Sequence, residues 1–593
     1  MYDPRATAAD LETFTKSGFG DDATNIELDC LAVATCFDKT NDAHKAHAKL
    51  AKKVLKKHAS APTAAALSKI TRRNYFPKHK VTRNAFLKHV ERFDDFDALA
   101  HIPDFNHIGF AARLVALAPS LLIHLLARGD MAFFTDYFTH GHPRDTLEFK
   151  DLYHTGNSDL SHTLSHDEVT ALAQIPRFTH LYIDTHCDVC PLPNDLSAWS
   201  KLTHLEIKAK GVQSLTQEHI NALGALPQLS HLTLSMRLSG LPQDLSPLKR
   251  LTTLDLAGNR LKTLPDSIAA LDQLQTLDLA GNSQLGTLPD AIGSLASLQT
   301  LELRGVEVRS CSPKLGQLHN LRTLHLSVDN NMAELFDAIR PLKGLTHLTL
   351  RSVGVDYLKV LPDALGQLTG LEILDINGFY ELKKGFAGLG NLTRLVTLRL
   401  NHLPHCDMST MLDGIGTLTN LEVLSLASAN LKGTFPDQLV HCSKLRELDL
   451  SSSYANAPTI DFSRLPKLEK LDLRNIAMET YPKGIFTLSN LKVLKFGGNL
   501  GSAPNLPEDV RGLESLEELE LGFAGITQLP NALSELRALR TISMRCGEEL
   551  ERLPEGLENL KNLERFGMYG TVSASLRRDL DALRPKMPWC HIF

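Results

Sequence analysis

The chain has 593 residues, 22% of them charged and 6% aromatic, with a formal net charge of −5. That length exceeds one conventional hydrophobic core, so the core must divide or grow along one axis. Nine scattered cysteines argue against a disulfide-capped ectodomain, and the richest apolar window, Phe110 to Ala127, is broken by Arg113, Pro119 and His124, too interrupted for a transmembrane segment.

In chain order, residues 1–25 are small and polar, a flexible N-terminus without the apolar core of a signal peptide. With unpaired cysteines, this reads as a cytoplasmic protein folding in a reducing compartment. Residues 26–165 read as a mostly helical, basic domain. Ala43, Ala46, Leu50, Val54 and Leu55 fall on one helical stripe, with Lys45, Lys49, Lys52, Lys53, Lys56 and Lys57 around the rest. A second basic stretch carries Arg72 and Arg73 and interleaves Tyr75, Phe76 and Phe86 with its charges. From Lys45 to Arg92, fourteen Lys or Arg stand against one acid, Glu91, about +13 locally and about −18 elsewhere. Such a surface suits an acidic protein or an anionic lipid. Nucleic acid is disfavoured, because no DNA-binding motif accompanies the charge. Two apolar helices are predicted on either side of Pro119, and THGHPRD and HTGNSDLSH mark turns.

Residues 166–593 repeat one pattern about seventeen times. The cleanest copy, Leu251 to Leu274, is LTTLDLAGNRLKTLPDSIAALDQL, followed at once by LQTLDLAGNSQLGTLPDAIGSLASL. The first residue of each L-x-L pair falls at Leu181, Leu205, Leu232, Leu254, Leu277, Leu301, Leu324, Leu348, Leu374, Leu398, Leu424, Leu448, Leu471, Leu494, Leu519, Ile542 and Phe566. Alternation puts both apolar residues on one side of a short strand and the residue between them on the other. The L-P-x-x-I-x-x-L half predicts a turn and a short helical piece, with proline in its first turn. One unit cannot bury its own apolar edge, so stacked copies must share a continuous core. Asn259 and Asn282 sit at the bend after the strand, and Asn430 beside it, where an amide can satisfy backbone groups. Copies lacking it, VEVRS after Leu303, VDNN after Leu326 and SSSYAN after Leu450, predict looser loops, with a bend between Leu301 and Asn377. The divergent last copy and RPKMPWCHIF, with Trp589 and Phe593, predict a C-terminal cap.

The L-x-x-L-x-L-x-x-N-x-L core of this pattern resembles the leucine-rich repeat. The resemblance implies an α/β solenoid, a horseshoe with parallel strands on its concave face, whose partner is another protein. The L-P-x-x-I-x-x-L class behind a unique N-terminal domain resembles leucine-rich-repeat effectors of plant-associated bacteria. That layout implies a virulence protein secreted into the host cell cytosol. Two alternatives remain open: a ubiquitin ligase effector whose repeats select the substrate while the N-terminal helical domain recruits a ubiquitin-charged partner, and a native intracellular scaffold or sensor.

On the concave face, the candidate partner-binding strip is Glu206, Asp255, Asp278, Glu302, His325, Asp375, Arg399, Asp449, Asp472 and Lys495. Two positions earlier in their copies stand His180, His204, His231 and His347. Stacked acids repel mildly, which water tolerates and a basic partner would exploit. His186, Cys187 and Cys190 make half a zinc site with no second pair, so no metal is expected. No cofactor is expected, because phosphate-loop, dinucleotide and kinase motifs are missing. G-x-S-x-G and H-E-x-x-H are missing as well, and no catalytic residue is assigned. Neither Cys187-Asp188 nor Cys406-Asp407 has the C-x-D spacing that bacterial leucine-rich-repeat ligases carry.

Overall fold

The computed structural model describes residues 146–148 and 179–593, except 186–191, 210–213, 307–311, 329–332, 353–357, 432–436, 454–459, 477–479, 498–504, 523–525 and 546–548. The flexible N-terminus, nearly all of the predicted helical domain, the basic residues from Lys49 to Arg73 and the His186–Cys190 motif lie outside the described residues. The chain forms two compact units, Met1–Leu238 and Ser239–Phe593.

In the first unit, β1 (Thr146–Glu148), β2 (His180–Thr185), β3 (His204–Ala209) and β4 (His231–Ser235) pair in parallel. Their register aligns Leu147, Leu181, Leu205 and Leu232. β1 falls inside the stretch read as helical; three residues are too few to display a period-two signal. Helix α1 (Gln217–Gly224) starts at Thr216, whose hydroxyl accepts the His219 N–H while the His219 ring accepts the Thr216 N–H. This capping pair satisfies two donors that a helix start leaves orphaned. α1 buries Ile220 and Leu223, and Trp199 is wholly buried nearby in sequence.

The second unit begins with β5 (Thr253–Asp255), β6 (Thr276–Asp278), β7 (Thr300–Leu303), β8 (Thr323–Val328), β9 (His347–Ser352), β10 (Ile373–Asn377) and β11 (Thr397–Asn401). It continues through β12 (Val423–Ser425), β13 (Glu447–Asp449), β14 (Lys470–Arg474), β15 (Val493–Gly497), β16 (Glu518–Gly522), β17 (Thr541–Arg545), β18 (Arg565–Tyr569) and β19 (His591–Ile592). Each pairs in parallel with the next. The first residue of every predicted L-x-L pair lies in one of the strands β2 to β18 and is buried. Register is unbroken from β7 to β10, so the bend expected between Leu301 and Asn377 does not interrupt the pairing. Two short helices, α2 (Ala333–Ile339) and α3 (Met408–Met411), interrupt the series.

The other half of most copies is a 3₁₀ turn, such as Asp266–Ala270 and Asp290–Ser294, burying Ile268 and Ile292. Pro265 and Pro289 stand at the position just before these turns, with φ of −71° and −69°, rather than inside the first turn. Proline's fixed φ suits that entry, and its missing N–H leaves nothing unsatisfied.

The bend after the strand depends on a left-handed residue. Gly258, Gly281 and Gly305 have φ of 70° to 72°, in register on successive copies. Asn282, fully buried, donates to the Leu256 and Leu279 carbonyls at 2.9 and 2.8 Å and accepts from Leu261 N–H at 3.1 Å. The loops expected to be looser, after Leu303, Leu326 and Leu450, lie largely outside the described residues. Ser428, Ser452 and Asn475 keep the left-handed turn with φ of 55° to 56°. Ser453 replaces the amide, donating to the Leu450 carbonyl at 2.5 Å, and Ala429 fills the buried position beside the half-buried Asn430.

At the C-terminus, helix α4 (Ala574–Leu583) buries Leu576, Leu580 and Leu583, and Met587 is buried behind it. These residues close the core. Trp589 and Phe593, predicted to cover it, are instead substantially exposed, because β19 adds an outer strand and carries Phe593 onto the strand face.

Candidate interaction face

In the first unit the face carries a row of histidines. His180 stacks on His204 at 4.1 Å and 16°, and His204 on His231 at 3.9 Å and 18°. The sequence device is Thr-His-Leu or Ser-His-Leu at each strand start. The Thr203 hydroxyl donates to the Thr179 carbonyl at 2.8 Å, leaving its lone pairs for Nδ1–H of His204, also at 2.8 Å. Ser230 repeats the arrangement with His231, and Thr346 with His347 in the second unit. Partial burial, then the neighbouring imidazoles, depress the His204 pKa to about 4. Beside the row, Lys208 forms a 2.7 Å ion pair with Glu206 and lies 5.2 Å above the Tyr182 ring.

In the second unit the central row begins with three acids on adjacent strands, Asp255, Asp278 and Glu302. Each carboxylate accepts the backbone N–H two residues ahead: Ala257 at 2.8 Å, Ala280 at 2.8 Å and Arg304 at 3.0 Å. Arg304 also clamps Glu302 through Nε and the terminal guanidinium nitrogen, both at 2.8 Å, and Glu302 is only 5% exposed. Burial raises the Asp278 pKa, opposed by the Ala280 N–H and reinforced by Asp255 and Glu302. Sequence reasoning gave these acids to a partner; the structure also uses them to hold the bend.

The row continues through His325, Thr349, Asp375 and Arg399. His325 Nε2 lies 4.0 Å from Glu302, while its Nδ1 and one Asp375 oxygen are buried without a hydrogen bond among the described residues. Burial lowers the His325 pKa and raises that of Asp375, with Arg351 and Arg399 opposing the latter.

Farther on, Asp449, Asp472 and Lys495 are register partners on β13, β14 and β15. Asp449 and Asp472 again accept N–H groups two residues ahead, Ser451 at 2.9 Å and Arg474 at 3.0 Å. Arg474 binds Asp472 at 2.6 Å and reaches Glu520 at 3.5 Å, and Lys495 binds Glu518 at 2.8 Å. The arginines two positions past the centre, outside the ten-residue candidate strip but read from the sequence as its neighbours, take part as well. Their signal was there, since an acid two residues before an arginine recurs at Glu302–Arg304 and Asp472–Arg474.

Buried Cys406 and Cys442 are unpaired, with burial raising their thiols to about 12 and about 11. That removes the thiolate on which nucleophilic or metal-binding cysteine depends. Among the described residues no cluster of three His, Cys, Asp or Glu could hold a metal ion, and no helix is long and apolar enough to cross a membrane.

A family profile described as a leucine-rich repeat region matches residues 235–340. The chain is 27% identical to a provisionally named disease resistance protein of Arabidopsis thaliana, over 36% of this chain and 20% of that protein. It is 26% identical to the TMV resistance protein N of Nicotiana glutinosa, over 34% of this chain and 18% of that protein. Human vasorin is 32% identical over 24% of this chain and 18% of its own length. The matches thus span about a fifth of each relative. A leucine-rich-repeat protein of Leptospira interrogans superposes with a TM-score of 0.52 at 23% identity, covering 73% of this chain and 99% of that one. At that identity the likeness establishes the fold alone.

Proposed function

We propose, on the premise that the chain is a leucine-rich-repeat protein, that its strand face binds another protein. One observation carries this reading. From β5 to β18 the inward positions repeat leucine almost without change, while the central outward row reads Asp, Asp, Glu, His, Thr, Asp, Arg, Ser, Asp, Asp, Lys, Glu, Ser, Gly. Solubility requires only that such a row be polar. A residue sequence that differs position by position is what a particular partner demands, and a long face supplies affinity through many small contacts.

In its finer form the reading makes the chain an effector acting in a host cytosol. The L-P-x-x-I-x-x-L class supports it, as do buried single cysteines that a reducing compartment would leave unpaired. The basic window from Lys45 to Arg92 would then contribute a second contact, with an acidic protein or anionic lipid.

The test is photo-crosslinking from the full chain. A benzophenone side chain replaces Arg399 or Ser543 on the strand face, and Asp272 or Lys467, exposed in the other half of their copies, as controls. A discrete adduct from the first pair and not the second is expected. Equal trapping from both sets overturns the reading.

A further inference from the structure

We infer that the C-terminal end of the strand face holds a cleft for an extended peptide presenting a side-chain carboxylate beside an aromatic residue. The inference rests on the protein-binding reading above and specifies its chemistry at one place. Two residues past the central row, register aligns Arg474, Gly497 and Gly522 on β14, β15 and β16, and aligns Arg545 with Tyr569 on β17 and β18. The glycines remove two successive side chains. They lie so close that a Cβ on Gly497 would stand 2.9 Å from the Gly522 Cα. Bare backbone therefore floors a cleft of about 570 Å³ lined by these residues, within the roughly 300–1,000 Å³ range of ligand pockets.

The two arginines differ. Arg474 is committed to Asp472 and Glu520. Arg545 is exposed and has no ion-pair partner among the described residues, so it is the cation left for a ligand. Tyr569 stands beside it, 51% exposed, edge to face with Phe593 at 5.6 Å; Phe593 is itself 44% exposed. Two exposed rings next to an unsatisfied guanidinium offer apolar contact and a carboxylate partner within one residue's reach. Glu520 lines the cleft and Asp472 holds Arg474, so one cation, Arg545, is left against one lining acid, which favours a single carboxylate over a polyanion. From Arg474 to Tyr569 is four strand spacings, roughly 19 Å, the span of about six residues of extended chain. A small molecule would leave much of that length empty.

The test pans the full chain against linear peptides displayed on phage. Selected sequences are remade with blocked ends, so that only a side chain can supply the carboxylate, and binding is read by fluorescence anisotropy. Selected peptides should place an acid next to an aromatic residue, and Arg545→Glu and Tyr569→Ala should each weaken binding at least tenfold. Both positions are exposed, so melting curves should match the parent; Arg545→Gln replaces the reversal if that variant fails to fold. Selection of nothing, of peptides without the acid–aromatic pair, or of peptides that bind both variants as tightly as the parent overturns the inference. So does Arg545-dependent binding of a decathymidylate probe in place of peptide. Failure here with cross-linking from Arg399 intact removes the cleft alone, whereas loss of both removes the strand-face reading.

Discussion

The histidine row of β2–β4 and the acid row of β5–β7 face the same difficulty, and the two rows solve it differently. Both set like titratable groups on adjacent strands in register. The histidines are pushed away from charge: burial first, then neighbouring imidazoles, lowers the pKa of His204 and His231, whose rings are steered by the Thr203 and Ser230 hydroxyls. The carboxylates are held by N–H groups two residues ahead, and the last of them by Arg304. A solenoid can therefore stack like residues on its open face if each has a local partner that its own copy supplies. The face stays polar for a partner without storing the full repulsion of stacked charges.

The comparison breaks first at the residues beneath the row. Leu277→Asp puts an unpaired carboxylate where exposure is zero, and should cost about 4 kcal/mol or more in urea unfolding. Asp278→Ala, its neighbour on the open side, removes the acceptor for the Ala280 N–H and should cost about 1 kcal/mol. Asp278→Asn keeps the acceptor and relieves Asp255 and Glu302, so it should change stability by less than about 0.5 kcal/mol. If Asp278→Asn costs as much as Asp278→Ala, the N–H contact is not what holds the row.

The architecture was legible because leucine period and strand alternation are local signals. The seventeen strands β2 to β18 follow from them, as does the histidine row, announced by Thr-His-Leu and Ser-His-Leu. The second duty of the acids was not legible. It depends on the chain turning back directly after the strand, so that the Ala280 N–H reaches the Asp278 carboxylate. Glu302 read as an exposed acid because nothing in L-E-L reveals that Arg304 folds over it. The C-terminal cleft was equally hidden. Gly497 and Gly522 are unremarkable singly, and only register makes them neighbours with Arg474 on one side. β1 was missed because Thr146–Glu148 is too short to alternate.

The smallest expected effect sharpens the histidine side. His204 has a folded pKa of about 4 against an ordinary 6.5, depressed first by burial and then by His231 and His180. Between those values the unfolded chain binds a proton that the folded chain refuses. Stability is thus complete above about pH 6.5 and is lost as pH falls toward 4. The ring is half-buried and keeps contact with solvent, so screening should hold the loss below about 1 kcal/mol. His204→Phe preserves a stacked ring and removes the titration. Limited proteolysis of the first unit at pH 7 and pH 5 should find the parent more acid-sensitive than the variant. His325, whose pKa is also lowered, is present in both proteins and cancels in that difference. Equal acid sensitivity in parent and variant would mean that the stack carries a proton on His204 without strain, and the contrast between a histidine that gives up charge and acids that are capped would fail.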